Sequence, residues 1–279
     1  MLSKQQFDVL TSILEGEDIE INDMSSFDGQ VLVSNGKITE EGIKALEPYK
    51  VKRAVFLAAG FGSRLVPITL NTPKPLIRVN GQRIIDSLLD AVIAAGIEEI
   101  YIVRGYLAEQ FDQLLYKYPM IKFIENPLYN EANNISSALY ANGLLSGAYV
   151  FEADLLLYNP KIISKYQYCS NYLGVPVEKT DDWCFETKDK IITKLNIGGQ
   201  NCHHMYGISY WTDEDGKKLK RHIYNIYNAE NGKQKYWDQV ALEEYLDFYE
   251  VEVRECTFND IIEIDTFEEL KMLDNSYSV

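Results

Sequence analysis

Histidine is nearly missing. The 279 residues hold three, none in a nucleophile or triad setting, so chemistry built on imidazole is not expected. Cysteine is also sparse: Cys169, Cys184, Cys202 and Cys256 are widely spread with no C-x-x-C pair. That excludes the common zinc and dithiol motifs, and the four read as reduced, partly buried small hydrophobes. Positive charge is short as well. Twenty-seven Lys and Arg against 42 Asp and Glu leave a net charge of −15 and a pI near 4.7. Such a chain is badly suited to gripping nucleic acid or an anionic membrane over a broad surface, so an anionic substrate must be met by a local site. No apolar run approaches the ~20 residues that cross a bilayer. The start, MLSKQQFDVL, lacks the basic and then apolar character of a signal peptide. The expected compartment is the cytoplasm, with neither nucleic acid nor membrane as partner.

What is present is an ordinary globular composition, 46% hydrophobic, 12% aromatic and 25% charged, enough for a large core with or without a small appendage. Two textures divide the chain. In residues 1–50, the spacing of Phe7, Leu10, Ile13 and Leu14 predicts a helix over Lys4 to Leu14, with Ser3 as N-cap. A short hairpin over Gln30 to Ile38 turns at Asn35-Gly36, and a second helix starts after Thr39 and is closed by Glu47-Pro48. Helix, hairpin and helix fit a reduced winged-helix unit. Ten acids against four bases speak against reading DNA and for a packing or docking appendage.

Residues 51–279 form the second expected domain. Apolar strands at Lys52 to Ala58, Ile100 to Val103, Ile121 to Ile124 and Ala148 to Glu152 alternate with helices at Ile84 to Ala95, Leu107 to Tyr118 and near Asn134 to Leu144. This is the α/β pattern of a Rossmann-like, mostly parallel sheet with helices on both faces. Beyond Asn171, short mixed strands at Tyr172 to Val177, Ile191 to Leu195 and Met205 to Trp211 suggest an antiparallel extension.

The stretch richest in chemical information is Leu57 to Leu76, LAAGFGSRLVPITLNTPKPL. A strand that opens into Gly60-x-Gly62-Ser63-Arg64 offers backbone N–H groups that phosphate oxygens can approach without a Cβ in the way. Leu65 replaces the third glycine of a dinucleotide fingerprint, and no Gly-Lys-Ser/Thr follows as in a P-loop. Instead Arg64 and the Lys74 of Pro73-Lys74-Pro75 place two cations on one stiffened loop.

This pattern resembles the signature of the sugar-phosphate nucleotidyltransferase superfamily. Within it the chain resembles the bacterial CTP:phosphocholine cytidylyltransferases, on ITLNTPKPL, Gly105-Tyr106 with Glu109-Gln110-Phe111, Asn133-Asn134, Ala153-Asp154, Trp183, Tyr236-Trp237-Asp238 and Glu263-Ile264-Asp265. The resemblance covers roughly Lys52 to Leu273. It implies CTP held by the glycine loop (Leu57, Ala58, Ala59, Gly60, Gly62, Ser63), with Gly105, Tyr106, Asn126 and Ser136 near the pyrimidine. It also implies magnesium-dependent transfer of CMP to phosphocholine. The choice of cytosine over uracil rests on the resemblance.

The residues supply chemistry to match. Asp154 follows an apolar strand at the carboxyl edge where open α/β sheets bind ligands, and Asp238 lies far along in a helix-like stretch. Two separated carboxylates sharing triphosphate oxygens and water suit Mg²⁺ better than a transition metal. Metal, Arg64 and Lys74 would together neutralise the α-phosphate and the departing pyrophosphate. A phosphomonoester, with its second pKa near ~6, is already a dianionic nucleophile at neutral pH, so no general base is required. Cys202-His203-His204 reads as strand, because adjacent residues of an extended chain point to opposite faces.

For the acceptor, a trimethylammonium group calls for aromatic faces and a carboxylate. Trp183, Tyr206, Tyr236 and Trp237 supply rings in the half expected to hold it. Sugar-specific relatives typically place Glu-Lys-Pro at the acceptor. Here Glu178-Lys179 is followed by Thr180, so Glu178 remains a candidate while a sugar 1-phosphate is disfavoured. The alternatives are 2-aminoethylphosphonate, phosphoethanolamine or a sugar 1-phosphate as acceptor, or a non-catalytic nucleotide-sensing regulator. The oligomeric state is open, a homodimer included.

Overall fold

The structure, a computed structural model, describes residues 1–17 and 32–278, which divide into two compact units. The smaller is Met1–Val51 together with Lys165–Tyr168. Its first helix, α1 (Lys4–Glu15), begins with a capping box: the Ser3 hydroxyl accepts from the Gln6 N–H, and the Gln6 side chain accepts from the Ser3 N–H. Gly16, at φ 75°, stops it in the left-handed conformation that costs glycine least. Strands β1 (Val33–Ser34) and β2 (Lys37–Ile38) pair across Asn35-Gly36, both at positive φ, as a two-residue hairpin turn requires. The expected start of this hairpin, Gln30 and Val31, lies outside the described residues. Helix α2 (Glu40–Leu46) is capped by Thr39, and Phe7, Leu10, Leu46 and Tyr49 form the small core. Residues 165–168 join it through Gln167, whose N–H donates to the Tyr49 carbonyl, and through stacked Tyr49 and Tyr168 rings 5.4 Å apart. A sequence boundary near 50 could not include this distant strand-like piece.

The larger unit is built on β3 (Arg53–Leu57), whose Ala54, Val55 and Phe56 are fully buried. After a small hairpin, β4 (Arg78–Val79) and β5 (Gln82–Arg83), comes α3 (Ile84–Ala94), which buries Ile84, Ile85, Leu88 and Leu89 and ends before Gly96. Next are β6 (Glu99–Arg104), β7 (Ile121–Glu125), α4 (Ile135–Tyr140), β8 (Ala148–Glu152) and β9 (Leu155–Leu157). The remainder is β10 (Asn171–Lys188), β11 (Ile191–Trp211), α5 (Asp213–Tyr227), α6 (Trp237–Gln239), β12 (Glu252–Glu255), β13 (Ile261–Glu263) and α7 (Phe267–Leu273). The main sheet runs β10-β12-β11-β8-β3-β6-β7, with β8, β3, β6 and β7 parallel and β11 antiparallel to β8. This is the expected mostly parallel α/β sheet.

Three expectations need correction. Residues 107–118 are a run of 3₁₀ turns over Ala108–Tyr116, entered through Leu107 at φ 46°, rather than an α-helix. The helix near Asn134 to Leu144 is only α4, because Gly143 adopts φ 91°. The short strands beyond 171 are parts of one long ribbon, β10 with β11, which turns at Asp189-Lys190 and shifts register between Thr180 and Trp183. Polar residues and Gly198-Gly199 hide its continuity. The register shift absorbs the irregularity and brings Asp182 and Trp183 to the site.

Candidate active site

At the carboxyl end of β3 the chain turns through the glycine loop over a cavity of about 540 Å³. Leu57, Ala58, Ala59, Gly60, Gly62, Ser63, Arg64 and Lys74 all line it. A Cβ on Gly60 would meet no atom within 4 Å, so the space above it is open for a ligand. Gly62 is required for a different reason. It sits at φ 68°, and a Cβ there would press on Thr69 and Lys74 carbons at 3.2 Å. The Thr69 hydroxyl donates to the Gly62 carbonyl (3.0 Å), and the Tyr106 hydroxyl donates to the Thr69 carbonyl (2.9 Å). Tyr106 thus braces the loop from behind, with its ring edge-on to Phe61, and is not part of the cavity wall.

Lys74, 8% exposed, is the electrostatic centre. Its Nζ lies 2.9 Å from Asp154 Oδ2 and 2.9 Å from Asp265 Oδ1. Burial depresses the ammonium, but the two carboxylates more than offset this and hold it above the ordinary lysine value. Arg64 grips Asp265 bidentately at 2.7 Å through both terminal nitrogens.

Asp154, Glu263 and Asp265 bring carboxylate oxygens within 4.8 Å of one another. The backbone explains how. β9 and β13 pair antiparallel, with Glu263 opposite Leu155, which sets two E-x-D segments side by side, Glu152-x-Asp154 and Glu263-x-Asp265. Burial, then the charges of Asp154 and Asp265, push the Glu263 carboxyl well above the usual range. Asp154 Oδ1 is buried without a hydrogen-bond partner among the described residues. An orphaned carboxylate oxygen inside an all-oxygen donor set fits a hard divalent cation such as Mg²⁺. These three residues are the ones that would hold it.

Asp238 is placed differently from its expected pairing with Asp154. It is buried and accepts a hydrogen bond from the Tyr172 hydroxyl, and burial pushes its carboxyl up to about 7. Its titratable neighbour is Glu152, whose own carboxyl is held well above the usual range by burial and then by Asp238, Asp154 and Glu263. Glu152 and Asp238 line the same cavity as Asp182, Trp183 and Tyr236. There the Trp183 and Tyr236 rings meet edge-on at 5.5 Å.

The remaining expected residues are dispersed. Ser136 lines the cavity, while Asn126 is buried beneath it and donates to the Ser136 and Ser137 hydroxyls at 3.0 and 3.1 Å. Gly105 contributes by lacking a side chain, since a Cβ would strike the ring of Tyr129, itself a wall residue, at 2.8 Å. Trp237 is 1% exposed and packs against Trp211 and Tyr172 in the core, so it offers the cavity no face. Tyr206 is buried against His204 and Phe258, and Glu178 is an exposed residue of β10; neither reaches the cavity. Cys202, His203 and His204 lie in β11 as strand residues, with His203 on Glu255 and His204 on Thr180.

Gly207 lies across from Glu152. A Cβ there would fall 2.5 Å from Glu152 Oε2 and 2.7 Å from its Cβ and Cγ, too close for a tip rotation to relieve. Gly207→Ala is expected to cost about 1–3 kcal/mol in thermal or denaturant unfolding.

The chain matches the Nucleotidyl transferase family over residues 53–140. It is 35% identical over 228 residues to a 2-aminoethylphosphonate cytidylyltransferase of Lancefieldella rimae, covering 80% of this chain and 92% of the relative. It is 29% identical over 223 residues to a choline-phosphate cytidylyltransferase of Streptococcus pneumoniae, covering 80% of this chain and 96% of the relative. Among solved structures, the CTP:phosphocholine cytidylyltransferase of Streptococcus pneumoniae superposes with a TM-score of 0.75 at 30% identity, over 81% of this chain and 99% of that one. With the loop, the lysine and the acidic cluster arranged as above, this chain belongs to the nucleotidyl transferase family and is a nucleotidyltransferase related to the bacterial cytidylyltransferases.

Proposed function

We propose that the chain transfers CMP from CTP to a small acceptor with a phosphoryl or phosphonyl group at one end and an ammonium at the other. The observation that carries this is that one cavity is lined both by the cations of the glycine-loop segment, Arg64 and Lys74, and by Glu152, Asp182 and Asp238 with the Trp183 and Tyr236 rings. In this reading the acceptor's anionic oxygen attacks the α-phosphorus of CTP, the bond to the β-phosphate oxygen breaks, and pyrophosphate leaves. The acceptor is deprotonated on arrival, so no side chain has to remove a proton. Lys74 and Arg64 stabilise charge on the phosphoryl oxygens, and the two meet it already oriented by Asp154 and Asp265. Mg²⁺ bound by Asp154, Glu263 and Asp265 would add neutralisation of the triphosphate.

Between acceptors, the balance of rings and carboxylates decides. With Trp237 and Tyr206 in the core, Trp183 and Tyr236 are what is left of the four expected acceptor rings, while Glu152, Asp182 and Asp238 line the cavity beside the acidic cluster and can accept from the three donors of a primary ammonium. This favours an acceptor like 2-aminoethylphosphonate. Phosphocholine is the second reading, favoured by the Trp183 and Tyr236 rings at 5.5 Å. Competition kinetics with both acceptors separates the two. Glu152→Gln should lower kcat/KM by about 10–100-fold for 2-aminoethylphosphonate, and Trp183→Ala should cost it much less. If Trp183→Ala instead abolishes use of phosphocholine, and wild type prefers phosphocholine, the second reading replaces the first.

A further inference from the structure

Asn133 and Asn134 stand in the pattern that carries the family resemblance, and so far they have no role. The structure gives them one. Across 103 positions of sequence, the Asn134 Oδ1 accepts the backbone N–H of Trp237 at 2.8 Å. On the other side of the same amide, Nδ2 donates to Glu152 Oε1 at 3.1 Å. Asn133 reinforces the junction: its N–H donates to the Lys233 carbonyl (2.8 Å), and its Nδ2 to the Gln234 carbonyl (3.2 Å). The partners settle the orientation of the Asn134 amide, since an N–H needs the oxygen and a carboxylate needs the amino group. One planar group therefore spans two pieces of the site. It joins Glu152, at the end of β8, to the start of α6, which carries Tyr236 as N-cap and Asp238 one residue beyond Trp237.

We propose that Asn134 is a positioning residue for the acceptor: its amide holds Glu152 and the Tyr236–Asp238 segment in one relation, so that the acceptor's ammonium meets Glu152 and Asp238 together. The inference rests on the reading that Glu152 meets the acceptor. Asn134 acts through Glu152 and α6, since both ends of its amide are engaged by protein. No other side chain of similar size does the same. Aspartate keeps the oxygen for Trp237 but turns a second oxygen on Glu152, and alanine loses both bonds.

The test is initial-rate kinetics of pyrophosphate release with CTP, MgCl₂ and 2-aminoethylphosphonate, each substrate varied in turn. Wild type is compared with Asn134→Asp, Asn134→Ala, Glu152→Gln and the double variant Asn134→Asp/Glu152→Gln. Asn134→Asp should raise KM for the acceptor by about 10-fold or more, with KM for CTP within about twofold and kcat at saturating acceptor largely kept. Asn134→Ala should do at least as much. The double variant restores a hydrogen bond with donor and acceptor exchanged, so its acceptor KM should match that of Glu152→Gln alone, without the Asn134→Asp loss added to it. A KM for CTP that rises in step with the acceptor KM would mean that Asn134 touches the nucleotide, and would overturn the proposal. So would an acceptor KM unchanged in Asn134→Asp while Glu152→Gln is impaired. An acceptor KM unchanged in Glu152→Gln would instead bring down the acceptor reading on which the proposal rests.

Discussion

Lys74→Met should lose turnover by about a thousandfold and destabilise the fold by about 3 kcal/mol at once. The two losses have one origin. The ammonium is the buried cation between Asp154 and Asp265, 2.9 Å from each, with Glu263 close by. Without it, Arg64 on Asp265 is the remaining ion-pair partner shown for the three carboxylates, and its side chain is 64% exposed. An exposed pair is screened and contributes little. Breaking one side of a buried pair leaves charge uncompensated, which is where the stability goes. The kinetic loss follows because a fixed cation beside the glycine loop needs no reorganisation when charge moves onto pyrophosphate. Chemical denaturation and single-turnover CMP transfer measure the two effects separately. A variant of wild-type kcat would show that the lysine is structural alone.

Asp154→Asn should separate what Lys74→Met joins. Turnover is expected to fall by a similar factor of about a thousand. Stability without divalent cation should change by less than about 1 kcal/mol, because the loss of one of the two carboxylates on Lys74 is set against relief of like-charge crowding, and Asp265 keeps the ammonium paired. The amide can also satisfy its neighbours where Asp154 Oδ1 now has no partner. A second readout follows from linkage. A ligand that binds only the folded state raises Tm, so Mg²⁺ should raise the Tm of the wild type and leave Asp154→Asn unmoved. Equal Mg²⁺ stabilisation of both proteins would show that the ion binds elsewhere.

The glycine loop was legible because its work is local. Gly62 needs a positive φ, Pro73 and Pro75 stiffen the path of Lys74, and each constraint acts within a few residues. The acidic cluster was half legible. Asp154 stands out at a strand end, but its partners depend on β9 meeting β13, a pairing of segments about a hundred residues apart. The signal was in the chain: Glu-x-Asp occurs at 152–154 and again at 263–265, and the repeat points to Asp265 rather than Asp238. The aromatic site was least legible. Trp183 and Trp237 look alike in sequence, yet a register shift in the ribbon turns one to the cavity and the first turn of α6 turns the other into the core. Tyr236 is the extended N-cap and Trp237 the first helical residue, so the two adjacent rings face different surroundings.

The central claim is tested most directly by pyrophosphate release with Mg²⁺ in a matrix of the four NTPs. The acceptors are 2-aminoethylphosphonate, phosphocholine, phosphoethanolamine and glucose 1-phosphate. Release with CTP and an amine-bearing acceptor, strongest with 2-aminoethylphosphonate, silent with glucose 1-phosphate and lost in Asp154→Asn, is the predicted result. Turnover of glucose 1-phosphate, or a nucleotide other than CTP preferred throughout, would contradict it.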